Sequence, residues 1–209
     1  MAATENGVID FTLMYATHDA FRRDLDRFAG ASALDGSALD RGAWANFKQQ
    51  LHVHHTVEDT ALWPRLQRAV ADRPGDLELV DQMQAEHARL DPVLAAVDEA
   101  VASRSANLAD RIQELSTVLG EHMKHEEDAA LPLIQEVLTP GDWGAFRSAM
   151  ARRQGPRGAA AYVPWIVDGV QPADRRRYLA VFPAPVRLLN RLFWEPSYRR
   201  HASRRHVEG

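Results

Sequence analysis

Residues 54–64 read HHTVEDTALWP, and residues 122–132 read HMKHEEDAALP. In each, a histidine is followed four residues later by a glutamate, His54 by Glu58 and His122 by Glu126, and each glutamate stands six residues before a proline, Pro64 or Pro132. Positions four apart on a helix are offset by only about 40°, so each pair aims an imidazole and a carboxylate the same way. Working outward, the apolar stripes that contain these residues are Trp44, Phe47, Leu51, His54, Glu58, Leu62 and Leu115, Leu119, His122, Glu126, Ala129. Two further stripes, Phe11, Met14, His18, Phe21, Leu25 and Val80, Met83, His87, Leu90, Leu94, each carry a lone histidine at a core position. All four advance by three or four residues, the period of one helix face.

The arrangement repeats along the chain. His18 precedes His54 by 36 residues and His87 precedes His122 by 35, which reads as a duplicated helix pair. Buried imidazole and carboxylate are costly without a partner, and four matching helices make a shared metal centre the simplest one. The expected fold is all-α: an antiparallel up-down-up-down four-helix bundle over residues 1–140, with a basic, helical and irregular C-terminal extension over 141–209 packed on it.

Boundaries follow from caps and breakers. The first helix is expected over Asp10–Ala29, closed by Gly30; the second from Ser37 or Asp40 to Ala71; the third, capped by Asp76, to Ala102; and the fourth, capped by Asn107, to just before Thr139. Pro64 and Pro132 predict a kink beyond each His/Glu pair. In the extension, short helices are expected over Asp142–Arg152, Pro172–Val181 and Pro185–Trp194, separated by a Gly- and Pro-containing stretch.

The chain has no cysteine, which excludes disulfides and thiolate chemistry and leaves histidine and carboxylate as metal ligands. Neither a leader sequence nor an apolar run long enough to span a bilayer is evident, so a cytoplasmic location is expected. The net charge of −4 divides into −12 over residues 1–150 and +8 over 151–209. That asymmetry predicts the tail docking on the acidic helices, with no nucleic-acid partner. The segment Pro185–Pro196 is cationic on one side and apolar on the other, so peripheral membrane or protein contact is the alternative role for the tail.

With these residues in view, the chain resembles the hemerythrin-like family, the HHE cation-binding domain, over roughly residues 10–140. The resemblance implies a non-haem pair of iron ions with an oxo or hydroxo bridge, held by His18, His54, Glu58, His87, His122 and Glu126. Manganese and zinc are the alternatives for this ligand set. It also implies a small exogenous ligand such as O2, NO or peroxide, and leaves open whether the protein binds, senses or reduces it. Oxygen-carrying relatives place a second histidine four residues after the one on the third helix, where this chain has Asp91. Asp91 is therefore a candidate ligand, an acceptor orienting an imidazole, or a surface residue before Pro92.

Other polar residues receive plainer readings. His52 and His55 are expected to face solvent or a neighbouring helix, the latter because Met123 occupies its counterpart position. Asp59, His125 and Glu127 are assigned supporting or surface roles, and Tyr15 a place in the core. His201 and His206 are read as solvated. Trp44, Phe47, Met14 and Met83 are expected to form an apolar wall around the metals. Two competing functions remain: a helical interaction protein with a structural metal and a docking tail, and a ferritin-like iron store or oxidase. The latter is disfavoured because no glutamate stands three residues before any histidine. HExxH, GxSxG and cysteine nucleophile motifs are absent.

Overall fold

The computed structural model describes residues 7–34 and 39–205, with side chains omitted for 33–34 and 201–205. Among them every regular element is helical. Helix α1 (Thr12–Leu34) runs through Gly30 instead of stopping there. Nothing forces a left-handed turn at that glycine, and the Ala-rich flank offsets its cost of about 1 kcal/mol. Helix α2 (Arg41–Val57) is capped by Asp40, whose carboxylate accepts from the N–H groups of Gly42 and Ala43; the alternative cap, Ser37, lies outside the described residues.

The kinks expected at Pro64 and Pro132 take a different form. A π-turn, Glu58–Leu62, links α2 to α3 (Trp63–Ala69), and a second, Glu126–Ala130, links α5 (Leu108–His125) to α6 (Leu131–Val137). The Trp63 and Leu131 N–H groups reach back five residues, to the carbonyls of Glu58 and Glu126. The wider turn absorbs the register change before each proline, which lacks an N–H and is tolerated at the start of the next segment. Each π-turn begins on a motif glutamate. Helix α4 (Pro74–Ser103) starts two residues before the expected Asp76 because Pro74 has the backbone angle of a first helical residue; Asp76 falls in its first turn, paired with Arg73.

Two apolar clusters fill the interior. One contains Phe21, Leu51, Leu90 and Leu119; the other contains Met14, Val57, Met83 and Leu131. Along α1 and α4 the chain passes from the second cluster to the first, along α2 it passes back, and α5 lies in the first cluster and leads through its π-turn into the second. His18, His54, His87 and His122 lie near where the two clusters meet, and Glu58 and Glu126 join them at the π-turns. The molecule thus carries a polar layer between two apolar ones.

The C-terminal residues are more helical than their composition suggested. Helix α7 (Pro140–Ile166) opens with a capping box: the Asp142 N–H donates to Thr139 Oγ1 at 3.1 Å, and the Thr139 N–H donates back to the Asp142 carboxylate at 3.1 Å. It continues well past Arg152, bending at Gly155, whose φ of 60° and ψ of −178° suit only a residue without Cβ. Pro156 then starts the second arm. Helices α8 (Pro172–Ala180), α9 (Ala184–Leu189) and α10 (Glu195–Arg205) follow, the last two joined by the π-turn Asn190–Trp194.

α7 packs on α1 and α2 and supplies residues to both apolar clusters, Trp143 and Phe146 to one and Trp165 and Ile166 to the other. Among the described residues no salt bridge joins a tail arginine to the acidic helices, and the ion pair that crosses the contact runs the other way, from Arg27 of α1 to Asp168 at 2.7 Å. Trp165 donates its indole N–H to Asp24 at 2.7 Å, Tyr178 donates to Asp19 at 2.8 Å, and Arg23 of α1 donates to the carbonyls of Trp165 and Asp168. Apolar burial and neutral donors outweigh long-range charge because exposed ion pairs contribute little. Among the described residues no helix is long and apolar enough to cross a membrane.

Candidate metal centre

His18, His54, Glu58, His87, His122 and Glu126 are all buried and converge in the polar layer. His18 Nε2 lies 3.2 Å from His54 Nε2 and 3.1 Å from Glu126. His87 Nε2 lies 3.1 Å from His122 Nε2 and 3.6 Å from Glu58, while the other Glu58 oxygen is 3.2 Å from His54 Nε2. The motif glutamates therefore cross over: Glu58 spans histidines of both halves, and Glu126 of the second half faces His18 of the first.

The outer nitrogens explain why the inner ones are free to bind. His87 Nδ1 donates to Asp59 at 2.9 Å, His122 Nδ1 to Glu86 at 2.9 Å, and His18 Nδ1 to Glu127 at 2.7 Å. A carboxylate accepting from Nδ1–H fixes the ring's orientation and, when the ring is neutral, turns the Nε2 lone pair inward. In neutral His87 and His122 two such lone pairs face each other at 3.1 Å, a repulsive arrangement that a shared cation relieves. No oxygen of Glu58 or Glu126 has a hydrogen-bond partner despite complete burial, since the nearby imidazole nitrogens are close but not in hydrogen-bonding geometry. Orphaned buried carboxylates beside inward lone pairs are the donor set of a cation site, and the residues fit a metal pair.

Electrostatics point the same way. Burial pushes Glu58 well above the usual carboxylate range, with Glu126 and then Asp59 adding repulsion. Burial depresses His54 and His55 well below the ordinary imidazole value, and His122 below it. Burial also opposes charge on His18, but Glu126 and Glu127 outweigh it and hold that imidazole up to about 9. Burial likewise acts against the Glu126 charge, yet His18 holds this carboxyl down to about 2. A cation in the layer would satisfy both carboxylates.

Asp91, left open between ligand, acceptor and surface residue, is exposed and among the described residues joins none of the candidate ligand groups. Two expectations need correction. Tyr15 is 39% exposed and is not a core tyrosine. Trp44 belongs to the apolar cluster around Phe28 and Phe47 and donates to Asp98, ten residues along α2 from His54, so it does not wall the metal site; Met14 does adjoin His54 in a cavity. His52 is exposed, as expected. The side chains of His201 and His206 lie outside the described residues.

The residue that the sequence reading missed is His55. Its ring stacks on His87 at 3.9 Å and 12°, stands edge-on to His122 at 5.2 Å, and leaves Nε2 buried without a partner. Two triads of donor atoms result: His18, His54 and Glu126; and His55, His87 and His122; His55 also groups with His54 and Glu58. The missed signal was at Met123, its counterpart in the second half, which is itself buried. A helix enclosed on several sides buries more than one stripe, so a position 100° off can still point inward.

An all-helical protein with four buried histidines, a half-buried fifth and two fully buried glutamates in one layer is, by its chemistry, a helical cation-binding protein. A family model for the hemerythrin HHE cation binding domain matches residues 10–134, and the chain belongs to that family. No match is found among curated proteins or among solved structures.

Proposed function

We propose that residues 10–137 form an antiparallel four-helix bundle holding two iron ions between its helices. His18 and His54 serve one ion, His55, His87 and His122 the other, and Glu58 and Glu126 lie between them. Manganese and zinc are compatible with the same donors, and iron is the metal that family membership favours. The observation that carries this reading is the facing pair of Nε2 atoms on His87 and His122, with both outer nitrogens already committed to Asp59 and Glu86. Bound iron would supply redox chemistry and a coordination position for a small ligand such as O2, NO or peroxide.

The chain's own residues orient and enclose that position. Asp59, Glu86 and Glu127 fix three imidazoles, and Met14, Met83 and Leu119 keep bulk water from the layer. Binding, sensing and reduction of the ligand all begin from such a site, in a protein read as cytoplasmic. Elemental analysis of protein from iron-replete cells, with the near-ultraviolet and visible spectrum, tests the reading. About two irons per chain with charge-transfer bands support it; a folded protein that stays metal-free after anaerobic iron loading overturns it.

A second reading concerns the tail. Leu188, Leu189, Leu192 and Phe193 are exposed on the segment that also carries Arg187 and Arg191. An apolar ridge flanked by cations suits the surface of an anionic bilayer. Co-sedimentation with vesicles containing phosphatidylserine, lost in Leu192→Ser/Phe193→Ser, supports this role, and no sedimentation of the unaltered chain refutes it.

A further inference from the structure

A cavity of about 530 Å³ lies between α1, α2, α7 and the segment leading into α9. Its buried end is formed by Met14, Thr17 and His54, and its outer end by exposed Arg147 with Pro183 and Val186. The bend at Gly155 creates it. Residues from Trp143 to Gln154 line one side, and Ala159, Tyr162 and Val163 of the second arm line another, so a straight α7 would have no such elbow. Small residues at Gly144, Ala151 and Ala159 leave the space open, and Gln154 anchors the elbow by donating to Gln50 at 2.7 Å.

Size and lining decide what belongs there. One water fills about 30 Å³ of liquid, so the cavity exceeds the needs of a diatomic ligand more than tenfold; it lies within the range of organic-ligand pockets, roughly 300–1,000 Å³. The walls are mostly aliphatic and aromatic. Tyr162 and Thr17 satisfy each other: the Thr17 hydroxyl donates to the Leu13 carbonyl at 2.7 Å, so Tyr162 donates to Thr17 at 2.7 Å. Water would find few partners along such walls. Arg147 is the one lining residue with a permanent charge; it acts on the Asp10 carboxylate through space, but among the described residues it forms no salt bridge. Among the described residues its hydrogen bond is a 3.5 Å donation to the Val181 carbonyl at the cavity mouth.

We propose that this cavity binds an amphiphilic organic monoanion, a medium-chain carboxylate, with its head on Arg147 and its hydrocarbon chain directed toward His54. A planar guanidinium matches a carboxylate in two parallel hydrogen bonds, and a single arginine balances a single charge. The apolar chain fills the space that water does not. This goes beyond the metal reading and does not require it, since none of the groups invoked for binding needs a cation in the histidine layer.

The test is calorimetric titration of the full chain, metal-free and metal-loaded, with decanoate and with uncharged 1-decanol. Saturable one-to-one binding of decanoate in both forms is expected. Arg147→Leu should weaken decanoate by about tenfold and leave 1-decanol unchanged, as loss of a charge-assisted pair predicts. Ala159→Phe, which fills the elbow, should abolish binding of both; if it misfolds by circular dichroism, Ala151→Phe replaces it. Leu192→Ser, on the exposed ridge, should change neither. Absence of saturable binding, indifference to the filling variant, loss in Leu192→Ser, or decanoate binding that needs metal and ignores Arg147 would each overturn the proposal.

Discussion

Replacing His55 by leucine should have opposite effects on the metal-free and metal-loaded protein. Without metal, His55 keeps a buried Nε2 with no partner and a ring that burial holds neutral. An unsatisfied buried polar atom costs about 1–3 kcal/mol, and leucine removes it while keeping most of the apolar contact. Against this stands the lost stacking on His87 at 3.9 Å, worth roughly 0.5–1.5 kcal/mol. The net expectation is a gain of about 1 kcal/mol, or roughly 2–4 °C in Tm for a chain of this size. With metal, the same change deletes an imidazole from the triad with His87 and His122. The second ion should then be lost or weakened at least as much as by loss of a supporting partner, roughly 10–100-fold. Scanning calorimetry of stripped and reloaded protein, with metal content measured on the same samples, reads both halves. A variant that is less stable when stripped, yet keeps the full metal complement, would refute the assignment of His55.

Asp59→Asn and Glu127→Gln should each weaken metal binding by roughly 10–100-fold without unfolding the chain, because they loosen His87 and His18; competition against a chelator measures this. Metal loading should release protons: burial favours the protonated form of Glu58, and His18 at about 9 is protonated at pH 7, so affinity should rise with pH and weak buffers of different ionisation heat should report the release. Trp165→Ala, at a fully buried ring that packs on Phe21 at 5.1 Å, should cost about 3–5 kcal/mol and free the indole partner Asp24, as chemical denaturation would show. The Asp142 carboxyl is held below its ordinary 3.8 by the Thr139 hydroxyl and N–H, so its contribution is present above 3.8 and lost as pH falls through the folded value. Because this cap is largely exposed, Asp142→Ala should cost only about 0.5–1 kcal/mol at neutral pH and less in acid, measurable as a Tm difference that shrinks on acidification.

Much of this site was legible because metal ligands break a pattern that is otherwise easily read. His18, His54, His87 and His122 interrupt apolar stripes, and the structure buries all four with Glu58 and Glu126 in one layer. Helix type and the Asp40 cap were likewise local properties. What local pattern could not give was the surroundings of each helix. His55 turns inward because α4 lies beside that face of α2, where its ring meets His87, whereas Asp91 is exposed on α4. Gly155 and Pro156 looked like a loop in sequence, yet one left-handed residue followed by a proline joins two helical arms. The charge asymmetry was real but misleading, since the tail is held by Trp165, Tyr178 and apolar burial, with its arginines largely at the surface.

The two halves of the repeat have also diverged in a way that bears on ligand access. Met123 faces the interior where the first half has His55, and Glu86 supports His122 and His125 where the first half has Thr17. The second triad consequently gathers three imidazoles, backed by Asp59 and Glu86, whereas the first has two imidazoles and a carboxylate. The cavity behind Met14 reaches His54 of this first triad and is lined by none of His55, His87 or His122. Chemistry at the proposed metal pair is therefore expected on the side of His18 and His54, where the bend at Gly155 has kept an apolar approach open.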